Sequence, residues 1–211
     1  MSAPIEFIFD FGSPNAYLAY RALPPILART GAQLIINPCL LGGIFKATGN
    51  TAPTVAFAPI KGKVEYEMLE IRRFVAKHRL DKFRLNPHFP VNTLMLMRGF
   101  VAAQAAGQEA PYLEMGLQGL WEEGLKLDDP EVLARRIDSA GLNSASLLAA
   151  AQTDRVKLKL ADNTAAAVAR GVFGIPTFFA GGEMFFGKER LGQIEEAIEE
   201  KAAQGAGPDS G

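Results

Sequence analysis

Ser13 is the residue in this chain best placed, by type and by neighbours, to meet an anion. An apolar, β-prone run from Ile5 to Phe11 stops at Gly12, and Ser13-Pro14 then opens a segment of helical period. The pattern predicts a strand feeding a helix through a very short turn. Ser13 falls at the N-cap and Pro14 at the first helical position, where its missing N–H costs nothing. A hydroxyl beside the free backbone donors of a helix N-terminus suits a negatively charged ligand. The plain alternative is that Ser13 only caps the helix, worth about 1 kcal/mol of stability.

Other chemistry-bearing residues are few. Cys39 is the single cysteine, which excludes an internal disulfide and reads as a small buried hydrophobe, and His78 and His88 form no recognisable metal spacing, so no metal site is expected. Ile175-Pro176 is an X-Pro step before a short apolar run and reads either as a cis bond turned toward a ligand or as an edge-strand proline. Lys61 and Lys188 read by default as solvated cations, and Lys46 faces either a cleft or the solvent. Arg98 lies in an apolar segment and must pair with a carboxylate or line a pocket. Asn92 either meets a ligand or holds its own loop. Trp121, Met95 and Met97 read as core.

The elements that position these residues follow from periodicity. Apolar positions from Pro14 to Arg29 mark a helix that Pro24-Pro25 bends or splits and Gly31 closes; Gln33 to Pro38 then reads as a second strand. This gives β-α-β in the first forty residues and favours a parallel pair. A helical stretch follows, with Gly49-Asn50 ending its first helix and Val55 to Lys61 reading as a loop. Lys63 to His78 is amphipathic, and Thr93 to Ala106 is apolar nearly all round and therefore buried. Further helices run through Leu113, Leu117, Leu120 and Trp121 to near Gly124, from Asp129-Pro130 to Gly141, over 143–152 and over 153–170. Strand chemistry returns only at Pro176 to Ala180 and Met184 to Phe186, joined by Gly181-Gly182, before a last amphipathic helix from Lys188. Two half-sheets interrupted by helices predict an α/β, thioredoxin-like fold, β-α-β … β-β-α, with a large inserted all-helical domain. Residues 1–40 and 164–204 form the sheet domain, 41–163 the insertion, and 205–211, rich in Gly, Pro, Asp and Ser, a disordered tail.

Composition bounds the function. The 211 residues carry a net charge of −1, are 48% hydrophobic and 21% charged, and offer no basic field for nucleic acid or an anionic membrane. There is no secretory signal pattern and no apolar run long enough to span a bilayer, so a cytoplasmic protein is expected.

Four stretches, in order, resemble one known family: Asp10-Phe11-Gly12-Ser13-Pro14-Asn15-Ala16-Tyr17-Leu18, Leu40 to Asn50, Asn86 to Thr93, and Gly171 to Phe179. The chain resembles the 2-hydroxychromene-2-carboxylate isomerases, which share the DsbA-like thioredoxin fold with the kappa-class glutathione transferases. The resemblance implies that Ser13-Pro14-Asn15-Ala16 occupies the turn where disulfide oxidoreductases carry Cys-x-x-Cys, so that the working thiol is glutathione's, held as thiolate by Ser13. From a thiol pKa of about 8.5, each unit of depression corresponds to about 1.4 kcal/mol. It further implies a cis Ile175-Pro176 pairing with the cysteinyl backbone, and Asn50 and Lys61 reaching the tripeptide. Gly187-Lys188-Glu189-Arg190 stands where the family has Gly, a small or amide residue, Asp and Arg, the Asp receiving the γ-glutamyl ammonium. Here Glu189 is one methylene longer and Lys188 adds a cation. Lys46 and Asn92 are weaker candidates for contact with a small aromatic substrate. The implied reaction interconverts 2-hydroxychromene-2-carboxylate and trans-o-hydroxybenzylidenepyruvate in the bacterial breakdown of naphthalene-type aromatics, and a homodimer is expected. The alternatives are a kappa-type transferase conjugating electrophiles, from which the Asn86 to Thr93 stretch leans away, and a thioredoxin-like binding module without turnover.

Overall fold

The central strand β1 (Ile5–Phe9) is apolar on both faces because both faces are covered: Ile5, Phe7, Ile8 and Phe9 are all fully buried. In the computed structural model, which describes residues 3–205, β1 pairs in parallel with β2 (Leu34–Pro38), Ile5 opposite Leu34. On its other side it pairs antiparallel with β3 (Thr177–Ala180), Phe7 opposite Phe178, and β4 (Glu183–Phe186) completes the order β2-β1-β3-β4. The strand is two residues shorter than the apolar run suggests. Phe11 is buried among helices and pairs with no strand.

The crossover from β1 to β2 is split as its prolines require: α1 (Pro14–Ala22) ends at Leu23, and α2 (Pro24–Thr30) starts with two residues that lack an N–H and closes on Gly31 at φ 64°. Eight helices follow: α3 (Leu41–Thr48), the short α4 (Pro53–Ala56), α5 (Lys63–His78), α6 (Leu94–Ala105), α7 (Glu109–Trp121), α8 (Pro130–Ser139), α9 (Ser144–Ala151) and α10 (Asp154–Ala169). The short α4 overlaps the segment read as a loop only at Val55 and Ala56, and it is too short to show a period. The left-handed residue after α3 is Gly49, at φ 70°, and Asn50 follows it outside that region.

The chain returns through the hairpin β3-β4, whose Gly181 and Gly182 both take positive φ, as the tight turn demands. A 3-10 turn (Lys188–Arg190) leads into α11 (Leu191–Gly205). The tail expected to be disordered lies outside the described residues apart from Gly205. The join expected between 163 and 164 falls inside the unbroken α10. There Asn163 Nδ2 donates to the Pro38 carbonyl and Thr164 Oγ1 accepts from Leu40 N–H, so this helix grips the end of β2. Among the described residues no helix is long and apolar enough to cross a membrane.

The core under the end of β1 is aromatic. Phe9, Phe11 and Phe100 meet edge to face at 4.9 to 6.0 Å, and Tyr112 stacks on Phe100. Two glycines make room for it. A Cβ on Gly99 would lie 2.0 Å from Tyr112 Oη, and one on Gly116 would lie 2.5 Å from the Phe11 ring.

Candidate active site

The turn between β1 and α1 is held at almost every residue. Cys39 N–H donates to the Phe9 carbonyl and the Trp121 indole N–H to the Phe11 carbonyl, 2.9 Å in each case. Asp10, fully buried, accepts three hydrogen bonds: Gly12 N–H (2.8 Å) and the Thr93 hydroxyl (2.7 Å) on Oδ1, and Leu41 N–H (2.7 Å) on Oδ2. It ties together the starts of α1, α3 and α6. Burial pushes its carboxyl above the usual range, against the three hydrogen bonds that pull it down. Gly12 is small for reasons of space, since a Cβ there would come within 3.3 Å of Asp10 Oδ1 and of the Thr93 methyl.

Ser13 is the N-cap of α1, buried to 4% exposure, its Oγ accepting from Ala16 N–H at 3.2 Å. The hydroxyl proton has a partner of its own. It is donated to the Ile175 carbonyl at 2.9 Å, across the Ile175-Pro176 bond, which is cis. In this state the hydroxyl is therefore turned to backbone, and a ligand sulfur would take the place of that carbonyl as acceptor. Pro176 carries the contact onward, its carbonyl accepting Gly187 N–H at 2.9 Å. Asn50 joins the same loop: its Nδ2 donates to the Phe173 carbonyl at 2.8 Å, two residues before Ile175.

The other candidates divide. Lys188 departs from the default of a solvated cation, being 3% exposed. Its ammonium pairs with Glu189 and lies 5.5 Å from the centroid of the Phe74 ring. The two groups that would answer the far end of a tripeptide neutralise each other. Lys61, in the turn before α5, and Lys46, in the last turn of α3, are exposed and make no ion pair among the described residues. Asn92 holds its own loop, Oδ1 accepting Leu94 N–H at 3.0 Å. Arg98 finds no carboxylate among the described residues, and its Nε is buried without a partner.

Cys39 is the only cysteine, and it is inert: it is fully buried, it donates to the Asn163 carbonyl at 3.4 Å, and burial raises its thiol to about 12. Sequence reasoning quoted but did not single out Asp10, Thr93 and Asn15. Asn15 Oδ1, two residues past Ser13, is buried with no donor. A carboxylate directly after a mostly apolar strand, two residues before Gly-Ser-Pro, was the available signal for Asp10. Asn86 is structural. Its amide donates to the Leu120 and Leu125 carbonyls and its Oδ1 accepts His88 N–H, pinning the Asn86 to Thr93 stretch to the end of α7.

The arrangement offers a hydroxyl at the positive end of a helix, an adjoining backbone loop, and no thiol of its own. That donor set fits an external thiolate at the Ser13 end. At the Lys188-Glu189 end it presents a closed ion pair. Comparisons with known proteins agree with this fold. The chain is 28% identical to 2-hydroxychromene-2-carboxylate isomerase of Pseudomonas putida over 96% of this chain and 97% of that one. It is 29% identical to Glutathione S-transferase kappa 1 of Rattus norvegicus, covering 93% and 91%. A solved structure of a 2-hydroxychromene-2-carboxylate isomerase superposes with a TM-score of 0.81 at 28% identity, covering 98% of this chain and 99% of that one. Residues 4–199 match the family described as the DSBA-like thioredoxin domain, and with its turn, loop and strand order in place the chain belongs to that family.

Proposed function

We propose that this protein is a glutathione-dependent isomerase of the 2-hydroxychromene-2-carboxylate type. The observation that carries the reading is the Ser13 hydroxyl at the N-cap of α1, 2.9 Å from the Ile175 carbonyl, in a chain whose only thiol is buried and protonated. When bound, glutathione would supply a thiolate for reversible addition to a conjugated double bond, which becomes a rotatable single bond until elimination of the thiolate restores it. The protein's part is to hold that sulfur ionised. Ser13 turns its hydroxyl from the Ile175 carbonyl to the sulfur, and the α1 N-terminus adds its partial positive charge. Asp10, through Gly12 and Thr93, fixes the turn so that this hydroxyl needs no rearrangement beyond its own rotation. The Phe173 to Pro176 loop, latched by Asn50, lies against the sulfur site as the backbone surface for the tripeptide. Lys61 contacts the tripeptide and Lys46 the aromatic substrate, and the assembly is a homodimer.

Calorimetric titration with glutathione, for wild type and Ser13→Ala, tests the reading together with an assay of 2-hydroxychromene-2-carboxylate interconversion. The expected result is glutathione binding in both, with activity lost in the variant by about 10²-fold or more. Absence of binding at millimolar glutathione would sink the proposal. The 29% identity to a relative named Glutathione S-transferase kappa 1 supports a second reading, conjugation of electrophiles. Accumulation of a stable thioether, in place of recovered glutathione, distinguishes it.

A further inference from the structure

The sheet has two edges, and the chain treats them differently. At the β2 edge, Gln33 accepts from Ile5 N–H and Cys39 N–H donates to the Phe9 carbonyl, so the odd residues face β1 and the even ones point outward. That edge is blunted: Gln104 Nε2 donates to the Ile36 carbonyl, Asn163 Nδ2 to the Pro38 carbonyl, and Pro38 has no N–H to offer. At the β4 edge, Gly187 N–H donates to the Pro176 carbonyl, which sets the phase of the antiparallel pairing. Glu183 and Phe185 therefore bond to β3, while Met184 and Phe186 turn N–H and carbonyl outward. These outward groups have no partner among the described residues. The strand, Glu183-Met184-Phe185-Phe186, also carries neither the lysine nor the proline that commonly blunts an edge.

Two different surfaces flank this open edge. On one face Met184 and Phe186 are 38% and 42% exposed, and Phe186 packs on the exposed Phe173 with ring centroids 4.6 Å apart. On the other, a groove of about 440 Å³ runs between β4 and α11. Neither Ser13, Asn50 nor the Ile175-Pro176 step lines it, nor does the Lys188-Glu189 pair. Its charged residues are Arg190, Glu183, Glu196 and Glu200, and none of the four is in an ion pair among the described residues. Three carboxylates against one guanidinium leave two negative charges unmatched.

We propose that the β4 edge is a docking site for a basic, extended peptide segment of a partner protein, added antiparallel to β4 as a fifth strand. In an antiparallel pair, the residues that bond to Met184 and Phe186 carry their side chains on the same face as these two. Apolar side chains at those alternate positions cover Met184, Phe186 and Phe173. The lysines or arginines between them point to the other face and meet Glu183, Glu196 and Glu200. The same charge selects against a second copy of this chain, since two such grooves brought together would gather four unmatched negative charges.

Calorimetric titration of the full chain with a capped heptapeptide of alternating lysine and valine tests the proposal. Three comparison peptides carry glutamate for lysine, the same residues in two blocks, or N-methylvaline for valine, which removes the donors that face Met184 and Phe186. The expected result is saturable binding of the alternating basic peptide. Binding should weaken roughly tenfold or more for each comparison peptide, and for the chain carrying Glu196→Gln with Glu200→Gln. Both glutamates are exposed on α11, so that variant should keep its fold, and the peptide series on the wild type decides the matter without it. Three results overturn the site: no saturable binding, equal binding of the block or N-methylated peptide, or a dimer that the peptide splits into protomers in sedimentation, which would give the edge to a second copy. The titration needs no glutathione, so its outcome is independent of the reading of the Ser13 turn.

Discussion

At the scale of single residues, Ser13 and Asp10 divide the work of the turn between chemistry and shape. Ser13→Cys places a thiol at the start of α1, and it should titrate below the ordinary thiol value of about 8.5. Cys39, raised to about 12, stays silent in the same range, so thiolate absorbance against pH reports one group. A midpoint at or above the ordinary value would show that this helix start does not favour an anion. Asp10 predicts a pH slope. Its native carboxyl is raised by burial, so the folded state holds the proton more tightly than the unfolded one. Its contribution to stability is therefore full below the unfolded carboxylate range and fades as pH rises through the raised native value. Asp10→Asn removes the slope and turns an amide donor toward one of the donors now bound, a cost of about 1–3 kcal/mol. Thermal melts of both proteins should show the gap between them narrowing from acid toward neutral pH. A constant gap would mean that Asp10 does not titrate in that window.

At the scale of elements, two glycines separate backbone strain from lack of space. Gly31 closes α2 in the left-handed region with nothing within 4 Å of its missing Cβ, so Gly31→Ala should cost about 1 kcal/mol. Gly99 sits under Tyr112, whose hydroxyl donates to the Leu96 carbonyl, and Gly99→Ala should cost about 1–3 kcal/mol from crowding, with that hydrogen bond lost besides. Urea midpoints in the reverse order would contradict this packing. The same contrast governs what the sequence reveals. Lys63–His78 was legible to the residue, because an amphipathic period is a local signal, and Pro24-Pro25 announced a bend or split between α1 and α2. The end of β1 was not legible, because Phe11 is buried by Gly116 and Trp121, more than a hundred residues away, and not by a strand partner. The burial of Lys188 was not legible for the same reason: nothing near it in sequence says that Phe74 covers it.

At the scale of the whole molecule, the order of periods carried the topology: two for a strand, 3.6 for helices, then two again beside a Gly-Gly turn. Of the candidate site, the hydroxyl, the loop at Ile175 and the latch at Asn50 come together, and they are the parts that a turn and an X-Pro step mark locally. The buried carboxylate that fixes them has partners 2, 31 and 83 residues away, and no short motif encodes such a hub. Because α10 runs unbroken from the helical block onto the end of β2, block and sheet should unfold together, the calorimetric enthalpy matching the van 't Hoff value. Two resolved heat-capacity peaks would refute that coupling. The bond from Trp121 to the Phe11 carbonyl has a practical consequence as well. The molecule's one indole is almost fully shielded and bonded to the residue two before Ser13, so its emission is a built-in lamp wired to the turn, and occupancy there can be followed by light with no label attached.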